Sequence, residues 1–152
     1  MIIDEIRCHN IRLLTINGGG TAEDILKELA AYAMLEGFAK EGYAEALIER
    51  ERNFPTGLQA TKGIAIPHAD QEYTKKGVII IARLAQETKF IQMGTKTPIF
   101  VNMVFLLLVQ NVEHQVKVLE NIVALIQNEE QMESLCSDSA ITTLKNAFEG
   151  YV

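Results

Sequence analysis

Apolar positions along this chain change period several times, and each change marks an element. Ile11 to Ile16 reads as a first strand, closed by the turn Asn17-Gly18-Gly19-Gly20. Thr21 followed by Asp24 has the form of a capping box, with Asp in place of the usual Glu. The helix it opens carries Ile25, Leu26, Leu29, Ala33 and Met34 at helical spacing and stops near Gly37. A second helix starts after Gly42 and sets Tyr43, Leu47 and Arg50 at i, i+4 and i+7, which predicts Arg50 on or beside the buried face. Asn53-Phe54-Pro55-Thr56-Gly57 ends it.

The stretch Gly63-Ile64-Ala65-Ile66-Pro67-His68-Ala69-Asp70 comes next. Ile64 and Ile66, two apart, would share one face of a short strand. Pro67 has no N–H for a ladder, so pairing should stop there or run along an edge. His68 is thereby delivered at the rim of a sheet. Val78 to Leu84 and Ile99 to Val109 are nearly continuous in apolarity, as strands covered on both faces are. Between them, Phe90 to Gly94 and Lys96-Thr97-Pro98 read as an excursion with turns. Asn111 caps a helix whose apolar face is predicted to be Val116, Leu119, Val123 and Ile126. Glu129 to Leu135 and Ser139 to Phe148 read as two short helices, the second capped by Ser137 or Asp138. The alternation predicts an α/β protein: a single domain over residues 1–152, with a mixed sheet flanked by helices on both faces.

Composition narrows the class of partner. The chain has 152 residues, 48% of them hydrophobic, enough for one domain with a sizeable core. A formal net charge of −6 argues against a nucleic-acid partner, because nothing here would release counterions from a phosphate backbone. It suits a basic protein partner better. Cys8 and Cys136 fit no metal or redox spacing and are expected to be reduced thiols. The first residues lack the basic start and apolar run of a signal peptide, and the apolar run ending at Val109 is too short to span a bilayer, so the expected location is cytoplasmic.

A histidine held at an open, rigid position serves as nucleophile, general base or metal ligand. Zinc chemistry lacks ligands: His9, His68 and His114 are the only histidines, and no His-x-x-x-His or paired cysteine occurs. A serine triad lacks the Gly-x-Ser-x-Gly elbow, and Gly18-Gly19-Gly20 is not followed by the Lys-Ser/Thr of a phosphate loop. What remains is His68 as its own nucleophile. A neutral imidazole has a free lone pair near pH 7 and accepts a phosphoryl group covalently. Arg50, Thr56 and His114 supply side chains of the types that would surround such a group. Asp70, two residues after His68, either orients the ring or caps the next turn, and capping is the expected role.

The set Arg50-Glu51, Pro55-Thr56-Gly57 and Ile64-Ala65-Ile66-Pro67-His68, in that order, resembles the enzyme IIA components of the bacterial phosphoenolpyruvate-dependent sugar phosphotransferase system, in the fructose–mannitol superfamily. The resemblance covers nearly the whole chain, including Phe90-x-x-Met93-Gly94 and the strand Val101 to Leu108. Phe54-Pro55-Thr56-Gly57-Leu58 and the long connection to the histidine look most like the galactitol-type branch. The resemblance implies a relay: the histidine-containing phosphocarrier protein phosphorylates His68, which passes the group to a cysteine of an enzyme IIB, and the membrane permease is served indirectly. It implies no cofactor beyond the covalent phosphohistidine. By position, Arg50 matches the arginine that stabilises the phosphoryl group and Thr56 the hydroxyl turn. His114 matches a second active-site histidine, although shifting its helix by one residue, about 100°, places Gln115 there instead. The rival readings are a regulatory phosphocarrier of the nitrogen type and a non-catalytic interaction domain of the same fold.

Overall fold

The computed structural model describes residues 1–137 and 140–151, so Asp138, one of the two predicted caps, lies outside the described residues. Six strands form one mixed sheet: β1 (Ile2–Cys8), β2 (Ile11–Gly18), β3 (Gly57–Gln59), β4 (Gly63–Ala65), β5 (Val78–Ile91) and β6 (Pro98–Leu108), in the spatial order β1-β2-β5-β6-β4-β3. The pairs β2·β5 and β4·β6 are parallel, and β1·β2, β5·β6 and β3·β4 are antiparallel. Five helices complete the fold: α1 (Ala22–Leu35), α2 (Tyr43–Asn53), α3 (Val112–Gln127), α4 (Glu129–Ser134) and α5 (Ala140–Phe148).

The period-2 alternation of the strands separates two apolar cores. Leu14, Ile16, Val78, Ile80, Val104 and Leu106 point to the face covered by α1 and α2. Leu13, Ile79, Ile81, Phe105 and Leu107 point to the other, covered by α3, α4 and α5. Both faces are buried, which is why β5 and β6 read as unbroken apolar runs. Ile64 and Ile66 fall together on the α3 side and Ala65 on the α1 side, as their spacing requires.

Local signals held where they were strongest. Thr21 Oγ1 accepts from Asp24 N at 3.1 Å and Asp24 Oδ2 accepts from Thr21 N at 3.1 Å, a complete capping box. Gly42 precedes α2 with φ of +87°, a left-handed conformation that a β-carbon disfavours.

Four expectations are corrected. The first strand, β1, carries too many polar and exposed positions (Asp4, Glu5, Arg7) to announce itself, and it lies at the sheet edge. The expected excursion around Phe90 is instead the continuation of β5: a shift in register between Arg83 and Thr88 bends the strand without ending it, and Phe90 is 1% exposed. The buried face of α3 is Val118, Ile122, Leu125 and Ile126, whereas Val116 and Val123 are exposed. Of the predicted face, Ile126 is buried, and the helix is rotated so that Val118, Ile122 and Leu125 meet the sheet side. Finally, Arg50 is exposed, although Tyr43 and Leu47 of the same helix are buried.

Candidate active site

His68 sits where β4 gives out. Pairing of β4 with β6 covers Ile64 and Ala65, and Pro67 then interrupts it. The chain stays against β6 all the same, because Leu107 N donates to Pro67 O at 3.3 Å and His68 bridges to Leu107. The half-buried imidazole therefore lies at the carboxyl ends of two parallel strands, the usual place for chemistry in an α/β sheet. Its Nδ1 is 3.0 Å from Ile66 O. A carbonyl only accepts, so Nδ1 carries the proton and the lone pair is on Nε2.

Burial holds the His68 pKa below its usual value of 6.5, and the positive charge of Arg50 lowers it further, against the opposing bond from Ile66. Both effects favour the neutral ring at neutral pH. Arg50 reaches this neighbourhood from the last turn of α2. Among the described residues it has no carboxylate partner. Its guanidinium stacks instead on Phe54, with Cζ 4.5 Å from the ring centroid. The charge is therefore available to a ligand.

Thr56 is 3% exposed. Its hydroxyl donates to Glu51, at 2.9 Å from either carboxylate oxygen, and its N–H donates to Glu51 Oε1 at 3.0 Å. The same hydroxyl accepts from Ile66 N at 3.1 Å. The Pro-Thr-Gly turn is therefore tied directly to the backbone that positions His68. Burial pushes the Glu51 carboxyl up to about 7, in spite of the Thr56 hydrogen bonds that lower it.

Asp70 caps the 3-10 turn Gln71–Tyr73, accepting from Glu72 N at 3.0 Å, and does not bond the ring. In the first turn of α3, His114 and Gln115 have different surroundings. Extending the buried stripe Val118–Ile122–Leu125 back by one turn reaches Gln115, whose side chain hydrogen-bonds Gln71, three residues after His68. His114 is exposed and packs edge-on against Tyr151, with ring centroids 5.8 Å apart. Arg50, Thr56 and His68 are thus brought together, and His114 is turned elsewhere.

Two residues that sequence reasoning passed over also belong here. Phe54 stands four after Arg50, a spacing at which side chains meet on a helix. Glu51 was visible beside Arg50, but its bond to Thr56 depends on how the chain turns after α2. No helix among the described residues is long and apolar enough to cross a membrane.

Known proteins share this arrangement of elements. The chain is 29% identical over 130 residues to the "PTS system galactitol-specific EIIA component" of Escherichia coli strain K12, covering 85% of this chain and 86% of that protein. It is 35% identical over 75 residues to the "PTS system fructose-like EIIA component" of the same strain, covering 48% and 49% of the two chains. Its fold matches enzyme IIA of mannitol, solved in complex with phosphorylated enzyme IIB from Escherichia coli, with a TM-score of 0.69 at 18% identity over 95% of this chain and 97% of that one. It also matches the nitrogen regulatory protein IIA-Ntr of Neisseria meningitidis, with a TM-score of 0.69 at 23% identity over 91% and 92%. The family model described as "Phosphoenolpyruvate-dependent sugar phosphotransferase system, EIIA 2" matches residues 9–149. This length of match, together with the ordered arginine, hydroxyl turn and proline-delivered histidine, makes the chain a member of the type 2 enzyme IIA family of the sugar phosphotransferase system.

Proposed function

We propose that the protein is a phosphocarrier that takes a phosphoryl group on His68 Nε2 from the histidine-containing phosphocarrier protein and gives it to a cysteine of an enzyme IIB. The observation that carries this reading is the bond between His68 Nδ1 and Ile66 O, which leaves Nε2 unprotonated on a neutral ring. In the first step the Nε2 lone pair attacks phosphorus. A P–N bond forms as the donor's P–N bond breaks, and the electron pair departs with the donor imidazole. In the second step a thiolate of enzyme IIB attacks, a P–S bond forms, and the electron pair of the broken P–N bond returns to Nε2. The proton stays on Nδ1, donated to Ile66 O throughout, so His68 needs no separate base.

Arg50 supplies charge where the phosphoryl oxygens gather, and with no carboxylate partner among the described residues its N–H groups are left for them. Thr56 acts by hydrogen bonding, on the backbone before His68. Gln115 rather than His114 occupies the place of a second polar group from α3. Such a site positions and partly shields the phosphoryl group without activating water. The likeness to the galactitol-specific component over most of both chains supports a galactitol-like sugar as the cargo of the relay.

The test is phosphorylation by phosphoenolpyruvate, enzyme I and the phosphocarrier protein, followed by intact mass. The expected result is one acid-labile phosphoryl group, absent in His68→Ala and poorly passed to enzyme IIB in Arg50→Ala. An unmodified wild-type mass with active donor present overturns the reading.

A further inference from the structure

Glu51 is a half-buried carboxyl group with no cation beside it among the described residues, and the nearest arginine in sequence after it, Arg52, pairs with Glu23 instead. A buried polar group is costly unless it is hydrogen-bonded, so its partners matter. Its oxygens are committed to Thr56, through the backbone N–H at 3.0 Å and the hydroxyl at 2.9 Å. A threonine hydroxyl has one proton. With that proton held by Glu51, only lone pairs are left to face Ile66 N, 3.1 Å away. Ile66 is also the residue whose carbonyl holds His68 Nδ1.

Hydrogen bonds thus run from carboxyl to hydroxyl to one residue's backbone to imidazole, and each holds the next group in place. Pro67, with its fixed φ, limits how far the carbonyl of Ile66 can turn away. Resting on the phosphocarrier reading, we propose that Glu51 is a positioning residue for phosphoryl transfer: through Thr56 and Ile66 it fixes the His68 tautomer that leaves Nε2 free. It touches neither the ring nor the phosphoryl group.

Removing the acceptor at position 51 frees the Thr56 side chain to rotate and carry its hydroxyl away from Ile66 N–H. Ile66 N then keeps only the longer bond to Thr56 O, at 3.3 Å. The carbonyl of Ile66 is less well held, and the ring gains access to the tautomer protonated on Nε2, which cannot attack phosphorus.

The experiment uses the full chain with nitrogen-15 in its histidines. Long-range proton–nitrogen correlation reads the His68 tautomer in the wild type, Glu51→Leu, Thr56→Val and Thr56→Ser. Phosphoryl loading from the phosphocarrier protein is measured on the same samples. The wild type and Thr56→Ser should show a single tautomer with the lone pair on Nε2. Glu51→Leu and Thr56→Val should show a mixture, with kcat for loading lowered about tenfold and KM for the phosphorylated donor nearly unchanged. A single wild-type tautomer in both variants overturns the proposal, as does a rise in KM with kcat intact. Should Glu51→Leu fail to fold, the near-isosteric Thr56→Val decides alone. If the wild type is not loaded by active donor, the phosphocarrier reading fails, while the tautomer comparison still reports on Glu51.

Discussion

Replacing Glu51 by Gln should make the stability difference between variant and wild type depend on pH in a sense opposite to that of most carboxylates. The folded protein holds the Glu51 proton up to about pH 7, against a usual carboxyl value of 4.5. Burial is the main cause, because it penalises the charged form. A raised carboxyl pKa means that between pH 4.5 and 7 the folded chain binds a proton which the unfolded chain has released. Its stabilising contribution is therefore complete below pH 4.5 and is lost as pH rises through 7. At about 1.4 kcal/mol per pH unit, that window corresponds to a loss of about 3 kcal/mol for the wild type. Glutamine, similar in shape and never charged, suffers no such loss. Urea unfolding of both proteins at about pH 5, 6, 7 and 8 gives the two stability curves. Their difference cancels every other titrating group and should favour the variant progressively with pH, by about 3 kcal/mol across the range. A flat difference would falsify the assignment of Glu51 as a desolvated carboxyl, and a difference running the other way would place a cation beside it.

Further expectations concern the ring, its neighbours and the α3 face. In Arg50→Ala the His68 pKa should rise, since a nearby positive charge is removed, and the acid limb of phosphoryl loading should move to higher pH; NMR titration of the ring checks it, and an unchanged pKa would show that the two groups do not interact. Phe54→Ala should leave the melting temperature nearly unchanged, because the ring is 60% exposed, yet slow transfer to enzyme IIB two- to fivefold, the equivalent of an exposed cation–π contact of about 0.5–1 kcal/mol. Gln115→Ala should reduce phosphoryl transfer more than His114→Ala, and equal rates would remove Gln115 from the site. Ile122→Ala should cost about 2–5 kcal/mol in urea unfolding, whereas Val123→Ala, one residue on, should stay within about 0.5 kcal/mol.

Much of the fold was legible because its signals are local. Thr21 with Asp24, Gly42 before Tyr43, and Pro67 after Ile66 each act on the next few residues, and each did what its chemistry requires. The sheet's two-sided burial was legible too, in the apolar runs of β5 and β6. What the sequence could not show depended on distant partners. Val116 and Val118 are equally apolar, and only the sheet's position decides which of them is covered. That same rotation separates Gln115 from His114. Arg50 illustrates a different difficulty: its spacing from Tyr43 and Leu47 is correct for the buried face, but the helix ends three residues later and the aromatic ring at its end offers the guanidinium a place outside. The Glu51–Thr56 contact crosses a turn whose path no periodicity describes.

The two apolar layers lie on opposite sides of the sheet, and the catalytic neighbourhood draws on both. Arg50 and Glu51 come from a helix packed on one layer, Gln115 from a helix packed on the other, and His68 from the strand's end between them. A chain with only one layer docked would lack either the guanidinium or the amide that bonds Gln71, three residues after His68. On the proposed function, competence to be charged with phosphate would therefore certify that the whole molecule has assembled.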